Sequence, residues 1–519
     1  MNSNISTRLR GLAVASGLLL VSGCGGDGSL SIQDGGVDAT GDGPGVDATG
    51  DGPGVDAPLG CNLTKDPKDS AACIDDTVGI FVDAKASDTN PGTKAKPVAT
   101  VNHALDLAAK QSLPRVYVCE GTYPAVSVDG TRDGKSAYGA FDCATWQVAS
   151  KTVTVQSPDN KPALTMSAAG TFVDIAFVSK DAVTPSDSSI AVLANGATLT
   201  LRRAKVTAGV GASGMKPTDI ADFGARAPDG DPGKINNGGS KVDNVCGNGT
   251  GTSSGAGGGG PNNSGTDGSD GNPNNYPVNP PNATGLGGKK SFADCSGGST
   301  GHDGSYGPGG TSGAGAILPG ILSASGWTPA KGGDAAAGKV GQGGGGGASR
   351  DNTGGGGGGG TGGCGGVAGA GGTGGGASLA IVSFNSTVTL ESTTLVTSKA
   401  GNGGQGGTGQ KAQQGGNVGS FFIASCNGGS GGHGGSGGGG GGGAGGLSVG
   451  IAYSGTAPKI DGASVSDAPT LPSATLGMPG AAGAAGAGGP AFKTANPASN
   501  PGADGTPGVA GIAAAVKAI

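Results

Sequence analysis

Glycine constrains this chain more than any other feature, with 119 of 519 residues lacking a side chain, about three times ordinary usage. A glycine has nothing to bury, and ordering its backbone costs on the order of 1 to 2 kcal/mol. Much of the chain therefore cannot form a conventional apolar core. The glycines are concentrated in blocks at 209–376 and 401–446, with uninterrupted runs at 354–360 and 437–443. Two outcomes are physically reasonable for such runs. Either they stay as flexible brushes, or they pack as extended polyglycine strands that approach closely and share backbone hydrogen bonds.

Between the blocks lie Val/Thr-rich segments with a recurring spacing. Ile190, Leu201 and Val206 are repeated by Leu379, Leu390 and Leu395, and again by Val449, Ile460 and Val465. Thr198-Leu-Thr-Leu201 matches Thr387-Val-Thr-Leu390, and Val173 with Val178 keeps the shorter step. Each segment supplies two or three short strands that must stack on neighbouring copies to bury what one copy cannot. An antiparallel sandwich would instead show hairpin turns every ~8–12 residues. In this register the glycine blocks leave from one corner, after Ala208 and after Ala400.

The first residues carry a different signal. Arg8 and Arg10 precede an apolar stretch, Leu12 to Val21, followed by Ser22-Gly23-Cys24. That order predicts a signal peptide, and the stretch is well short of the roughly 20 residues of a membrane span. Val21-Ser22-Gly23-Cys24 resembles the lipobox of bacterial lipoproteins, which implies acylation of Cys24 and effectively permanent attachment to a membrane. Gly25, in place of an aspartate, favours the outer membrane. Beyond Cys24 comes a tether with a nine-residue repeat, 36–44 and 45–53. Its small, acidic, proline-punctuated texture predicts disorder. The repeat departs from calcium-binding RTX nonapeptides at Asp42 and Thr49.

Nine cysteines become eight once Cys24 is assigned to the anchor, and an even number in an oxidising compartment predicts disulfides. Proximity in sequence suggests Cys61 with Cys73, Cys119 with Cys143, Cys246 with Cys295, and Cys364 with Cys426. No closely spaced cysteine pair occurs and His103, His302 and His433 are scattered, so no metal site and no cofactor are expected. The formal charge is −6 without a basic face, which disfavours nucleic acid as a partner.

The first structured residues carry a resemblance. The run Phe81 to Pro97, then Ala99-Thr-Val101, Ala104-Leu105, Val116-Tyr-Val118 and Gly121-Thr-Tyr123, resembles the opening of right-handed parallel β-helix surface proteins, relatives of the pectate-lyase fold. Ala86 and Val98 depart from that pattern. The resemblance implies an all-β chain. It would be a right-handed parallel β-helix with an N-terminal capping helix, Thr100 to about Gln111, carrying Val101, Ala104, Leu105 and Ala108 on one face, and with long glycine-rich, partly disordered or polyglycine-II loops. The Gly-Gly-x texture is similar to PE-PGRS-type surface proteins, for which such packing is implied.

Enzymes of that fold use clustered acids and a base on adjacent strands. Here Asp174, Arg202, Arg203, Lys205 and Glu391 share no motif and read as solvated outer-face charges. Asp83 and Asp88 read as acceptors for loop backbone. His302-Asp303-Gly-Ser305 sits in glycine-rich sequence without the rigid support catalysis needs. His103 reads as a surface or boundary residue of the helix. Tyr117, Tyr123, Trp146 and Phe177 read as core or stacking residues. No catalytic residue is assigned.

The expected organisation is signal peptide and lipobox 1–24, tether 25–76, cap and first rungs 77–208, glycine-rich insertion 209–376, rung 377–400, insertion 401–446, rung 447–470, and an Ala/Gly/Pro-rich tail 471–519. The expected function is a non-enzymatic, envelope-anchored surface lipoprotein with a structural, adhesive or matrix-interaction role. Its expected partners are the membrane, through Cys24, and extracellular polysaccharide or other envelope proteins. Alternatives are an anchored polysaccharide lyase or glycoside hydrolase, and a calcium-dependent adhesin.

Overall fold

The computed structural model describes residues 57–519 apart from 159–160, 248, 260–264, 275–283, 291–294, 296–298, 351–353 and 493–499. The signal peptide, Cys24 and the tether to residue 56 lie outside the described residues. Pro53–Ile519 forms one compact unit. Residues 57–76, read as the end of the tether, are instead built into it. They carry two short 3-10 turns, Pro67–Asp69 and Ala71–Cys73, and the Cys61–Cys73 disulfide.

Three parallel sheets organise the apolar half. The first contains Gly79–Val82, Arg115–Cys119, Lys135–Phe141, Gly170–Val173, Thr198–Arg202, Thr387–Glu391 and Lys459–Ile460 in spatial order, closed by antiparallel Ala463–Ser464. The second runs Val126–Val128, Leu164–Met166, Ser189–Asn195, Ser378–Phe384, Ser448–Ser454, Ala513–Ala518. The third runs Gly121–Tyr123, Val153–Gln156, Ala176–Val178, Lys205–Thr207, Thr394–Val396, Ala474–Thr475. The chain visits the sheets in rotation, and each rung breaks where a residue takes positive φ. Asp174, Arg203 and Ser392 (φ 56, 50 and 49°) separate the first sheet from the third, and Asp461 (φ 48°) opens the turn from Lys459–Ile460 to Ala463–Ser464. At three of these breaks the backbone N–H bonds a neighbouring rung, Asp174 to Arg202 O, Arg203 to Glu391 O and Asp461 to Leu390 O.

The repeat maps onto this register with two exceptions. Leu201 pairs with Leu390 and Leu390 with Ile460, Val206 with Leu395, and Ile190 with Leu379, then Val449. Val173 and Val178 are one residue out of step, because Phe172 and Phe177 face Leu201 and Val206. Val465 is in no strand; the chain turns back after Gly462 (φ +85°) and Ala474 takes the place beside Leu395.

Leu199, Leu201, Val206, Ile381, Leu390, Leu395 and Ile451 fill the space between the sheets. The helix Val101–Lys110 closes one end, burying Val101, Ala104, Leu105 and Ala108. Thr100 accepts the His103 N–H as N-cap, while Asp88 accepts from the N–H groups of Ala99 and Thr100. Ile190, Leu379 and Val449 face the other way. They form a second apolar cluster with Leu322 and Trp327 of the hairpin Gly320–Ser323/Gly326–Pro329. Phe81, Tyr117, Tyr138, Phe141 and Trp146 form a third.

The glycine-rich half is a bundle of extended segments bonded chiefly through backbone. Consecutive residues of 427–446 bond different neighbours. Gly440, Gly441 and Gly442 donate to Gly407, Gly333 and Thr506 (each 2.9 Å), and the carbonyls of Gly441, Gly442 and Gly443 accept from Gly372, Ala316 and Gly483. Six segments thus surround 427–446, and the pattern repeats every third residue, as in a three-residue-per-turn extended helix. A Cβ at Gly434, Gly437, Gly440 or Gly443 would stand 1.9–2.1 Å from a carbonyl oxygen of the 355–376 segment, so only glycine permits this approach.

The expectation of an all-β single β-helix is corrected by this architecture. The strands form separate, mainly parallel sheets of eight, six and six, together with a helix, at 24% strand and 4% helix of the described residues, because positive-φ residues such as Asp174, Arg203 and Ser392 interrupt the rungs. The glycine segments do not hang outside as loops. Their shared hydrogen bonds make a body of their own.

Two disulfides also differ from sequence proximity. Cys61–Cys73 and Cys119–Cys143 join near neighbours, whereas the remaining four cysteines cross as Cys246–Cys364 and Cys295–Cys426. The bundle sets Asn244 beside Gly362 and Cys364, and this brings segments remote in sequence together.

Candidate functional site

Where a bundle segment meets solvent, its outward N–H groups have no neighbouring backbone, and side chains take them. Asp219 accepts from Thr408 N, Asp222 from Lys411 N, Asp229 from Asn417 N, Asp334 from Gly371 N and Asp504 from Gly488 N, at 2.7–2.9 Å. These bonds hold the Asp334 carboxyl below its ordinary value, Gly371 N–H contributing most and Lys331 next. For Asp219 the order is Lys216, then Thr408 N–H.

Among the described residues, the neighbours of the central segment 427–446 change along its length. From Ser436 onward it is flanked by 500–512, with Ser436 N donating to Asn500 O and Gly439 N to Ala503 O. Toward Asn427 the otherwise all-glycine run carries Ser430, His433 and Ser436 at every third position. His433 stacks on Tyr306 (centroids 4.9 Å, 7° between planes), Phe492 lies on its other flank at 4.6 Å, and Lys411 Nζ stands 4.5 Å from the Phe492 centroid. Gly415 N donates to His433 Nδ1 at 3.0 Å. Ala225 O accepts from Gln413 Nε2 and Ala227 N donates to Gln414 O, which brings Arg226 alongside. Burial, then Arg226 and Lys411, depress the His433 pKa, so the ring stays neutral at pH 7. A shallow cleft of ≈ 480 Å³ between 308–311 and 500–503 opens beside the column. Asn500 Nδ2 donates to Gly307 O, and Gly307 N to His433 O.

This arrangement suits stacking against a ring and attraction of an anion. Sequence reading set His433 aside and did not single out Tyr306, Phe492, Lys411 or Arg226. The available signal was the three-residue spacing of Ser430, His433 and Ser436 inside a glycine run.

Three of the five charges read as outer-face residues are placed differently. Arg202 and Arg203 converge on Asp66, which is 7% exposed, and Asp174 joins them through Arg203. Arg203 bonds Asp174 (2.9 Å) and Asp66 (2.8 Å), and Arg202 reaches Asp66 at 2.7 Å as an ion pair without hydrogen-bond geometry. The hydrogen bond to Asp174, more than that to Asp66, raises the Arg203 pKa further. This network pins residues 57–76 across the rung turns, and folding alone could place Asp66 there. Lys205 is exposed in the third sheet, and Glu391, also exposed, pairs with Arg202 in the first. Asp83 accepts from Lys85 N. It lies beside Cys119 and Cys143, but those sulfurs are bonded to each other and offer no thiolate.

Asp303 accepts from Ser430 N and Oγ, and Ser305 Oγ donates to Thr284 Oγ1, while His302 is exposed. The threefold backbone thus turns consecutive side chains of this stretch to different partners. His103 is half-buried on the helix. Tyr117, Tyr123, Trp146 and Phe177 are buried in the apolar clusters. Among the described residues no helix is long and apolar enough to cross a membrane. No family model, curated protein or solved structure matches this chain.

Proposed function

We propose that the chain is a non-enzymatic surface lipoprotein, anchored to the cell envelope through Cys24, that presents the glycine bundle as a rigid binding platform with an adhesive or matrix role. One observation carries this reading. The carboxylates along the bundle, Asp219, Asp222, Asp229, Asp303, Asp334 and Asp504, each accept a backbone N–H. Asp219 and Asp334, whose carboxyls these bonds and the neighbouring lysines hold below the ordinary value, are poorly suited to act as general acids, and each of the six serves to finish an edge of the lattice.

Purified full-length protein incubated with acidic and neutral polysaccharides is expected to bind polymer and leave its chain length unchanged. Release of reducing ends or unsaturated sugars would overturn the reading. Anchoring is tested separately, by incorporation of labelled palmitate in the producing cell and its loss in Cys24→Ala.

A further inference from the structure

We propose that the column Tyr306–His433–Phe492, with Lys411 and Arg226 beside it, is a subsite for acidic sugar residues of an extracellular polysaccharide. The inference rests on the binding-platform reading above and adds the chemical class of its ligand. A pyranose ring presents an apolar C–H face, and aromatic rings held by a rigid backbone offer the matching surface. Tyr306 and Phe492 are half-buried, so they are fixed yet reachable. Gly307 N bonds His433 O, which locks the segment carrying Tyr306 to the one carrying His433. This is the pattern of a ligand site: apolar rings with a few placed polar groups.

The cations supply the second element. Among the described residues neither Lys411 nor Arg226 forms an ion pair with a carboxylate, although most other cations beside the bundle do, as in Lys216–Asp219, Lys331–Asp334 and Lys289–Asp267. Lys411 lies instead over the Phe492 ring. Asp222 is engaged with the Lys411 N–H. The chain as a whole is negative and repels polyanions at long range, so binding of an acidic polymer requires a local arrangement such as this one. A carboxylate meeting Lys and Arg gains charge-assisted hydrogen bonds. The cleft between 308–311 and 500–503 offers room for neighbouring sugars of the same polymer.

The test is affinity electrophoresis and calorimetry of the full-length protein with polygalacturonate, dextran sulfate and uncharged dextran. Polygalacturonate is expected to bind. Lys411→Gln combined with Arg226→Gln should weaken it at least tenfold, and Tyr306→Ala to a similar extent, each with an unchanged melting profile. Arg226 is exposed and Lys411 half-buried, so their substitutions test the site even where the tyrosine variant fails to fold. Polygalacturonate binding that survives the double substitution would refute the subsite and leave the platform reading intact. Dextran sulfate binding as tightly as polygalacturonate, with Tyr306→Ala indifferent, would reduce the site to bare charge attraction and overturn the sugar assignment. Failure to bind any polysaccharide would remove both, whereas cleavage with cation-dependent binding would remove only the non-enzymatic reading.

Discussion

A single methyl group is enough to disrupt the bundle at its interior positions. At Gly440 a Cβ would lie 2.1 Å from Ala370 O, while the same residue donates to Gly407. Relief of the clash would break that bond. Gly440→Ala is expected to destabilise by about 1–3 kcal/mol or more, and Gly224→Ala, where nothing lies within 4 Å, by no more than about 0.5 kcal/mol. Denaturant melts of the two variants compare them directly; equal effects would deny close packing. Edge aspartates add a pH dependence. Backbone N–H groups and lysines hold Asp219, Asp267 and Asp334 below the ordinary carboxyl value, so the folded state binds protons less readily than the unfolded one. Their contribution is complete above about pH 4 and is lost as pH falls through the folded values. His433, also depressed, adds a shallower decline that starts as pH falls through its ordinary 6.5. The melting temperature should therefore drop gently below pH 6.5 and steeply below 4, and Asp334→Asn should soften the second fall.

At the scale of elements, local and remote interactions separate cleanly. The helix Val101–Lys110 was readable because its cap and its apolar face are spaced within a few residues, and Thr100→Ala is expected to cost about 1 kcal/mol. The hydrogen-bond partners of a glycine segment have no such local signature. The bundle's two cross-links span 118 and 131 residues, against 12 for Cys61–Cys73. Loop-closure entropy makes the long ones worth more, about 4–5 kcal/mol against about 3. Replacing Cys246 and Cys364 by serine should thus lower stability more than replacing Cys61 and Cys73, as read by equilibrium denaturation. The reverse ranking would show that the bundle persists in the unfolded chain.

For the whole molecule, three glycine excursions, 208–377, 397–447 and 476–512, each leave after a third-sheet strand and return to a second-sheet strand. Because these rungs are stacked, the excursions start side by side, and their common corner aligns them for lateral bonding. The result is one body held by burial and another held by backbone hydrogen bonds. Heat capacity of unfolding follows exposed apolar area, and the bundle hides little of it. Calorimetry should give a value per residue clearly below the ordinary ~12–15 cal/mol/K. An ordinary value would mean that the glycine half contributes a conventional core.

Composition, read alone, settles that half of this chain cannot make an apolar core, and the spacing of Leu201, Leu390 and Ile460 settles which residues lie above one another, since side-chain period and strand register are local properties. Composition leaves open whether glycine runs are brush or bundle, because a glycine carries no side chain to name its neighbour. Tertiary structure decided that choice by placing the excursions at one corner. It likewise decided the crossed pairs Cys246–Cys364 and Cys295–Cys426, the recruitment of Asp66 to Arg202 and Arg203, and the meeting of Tyr306, His433, Phe492 and Lys411. Each of these joins residues far apart in sequence, and their proximity exists only once the backbone lattice has formed.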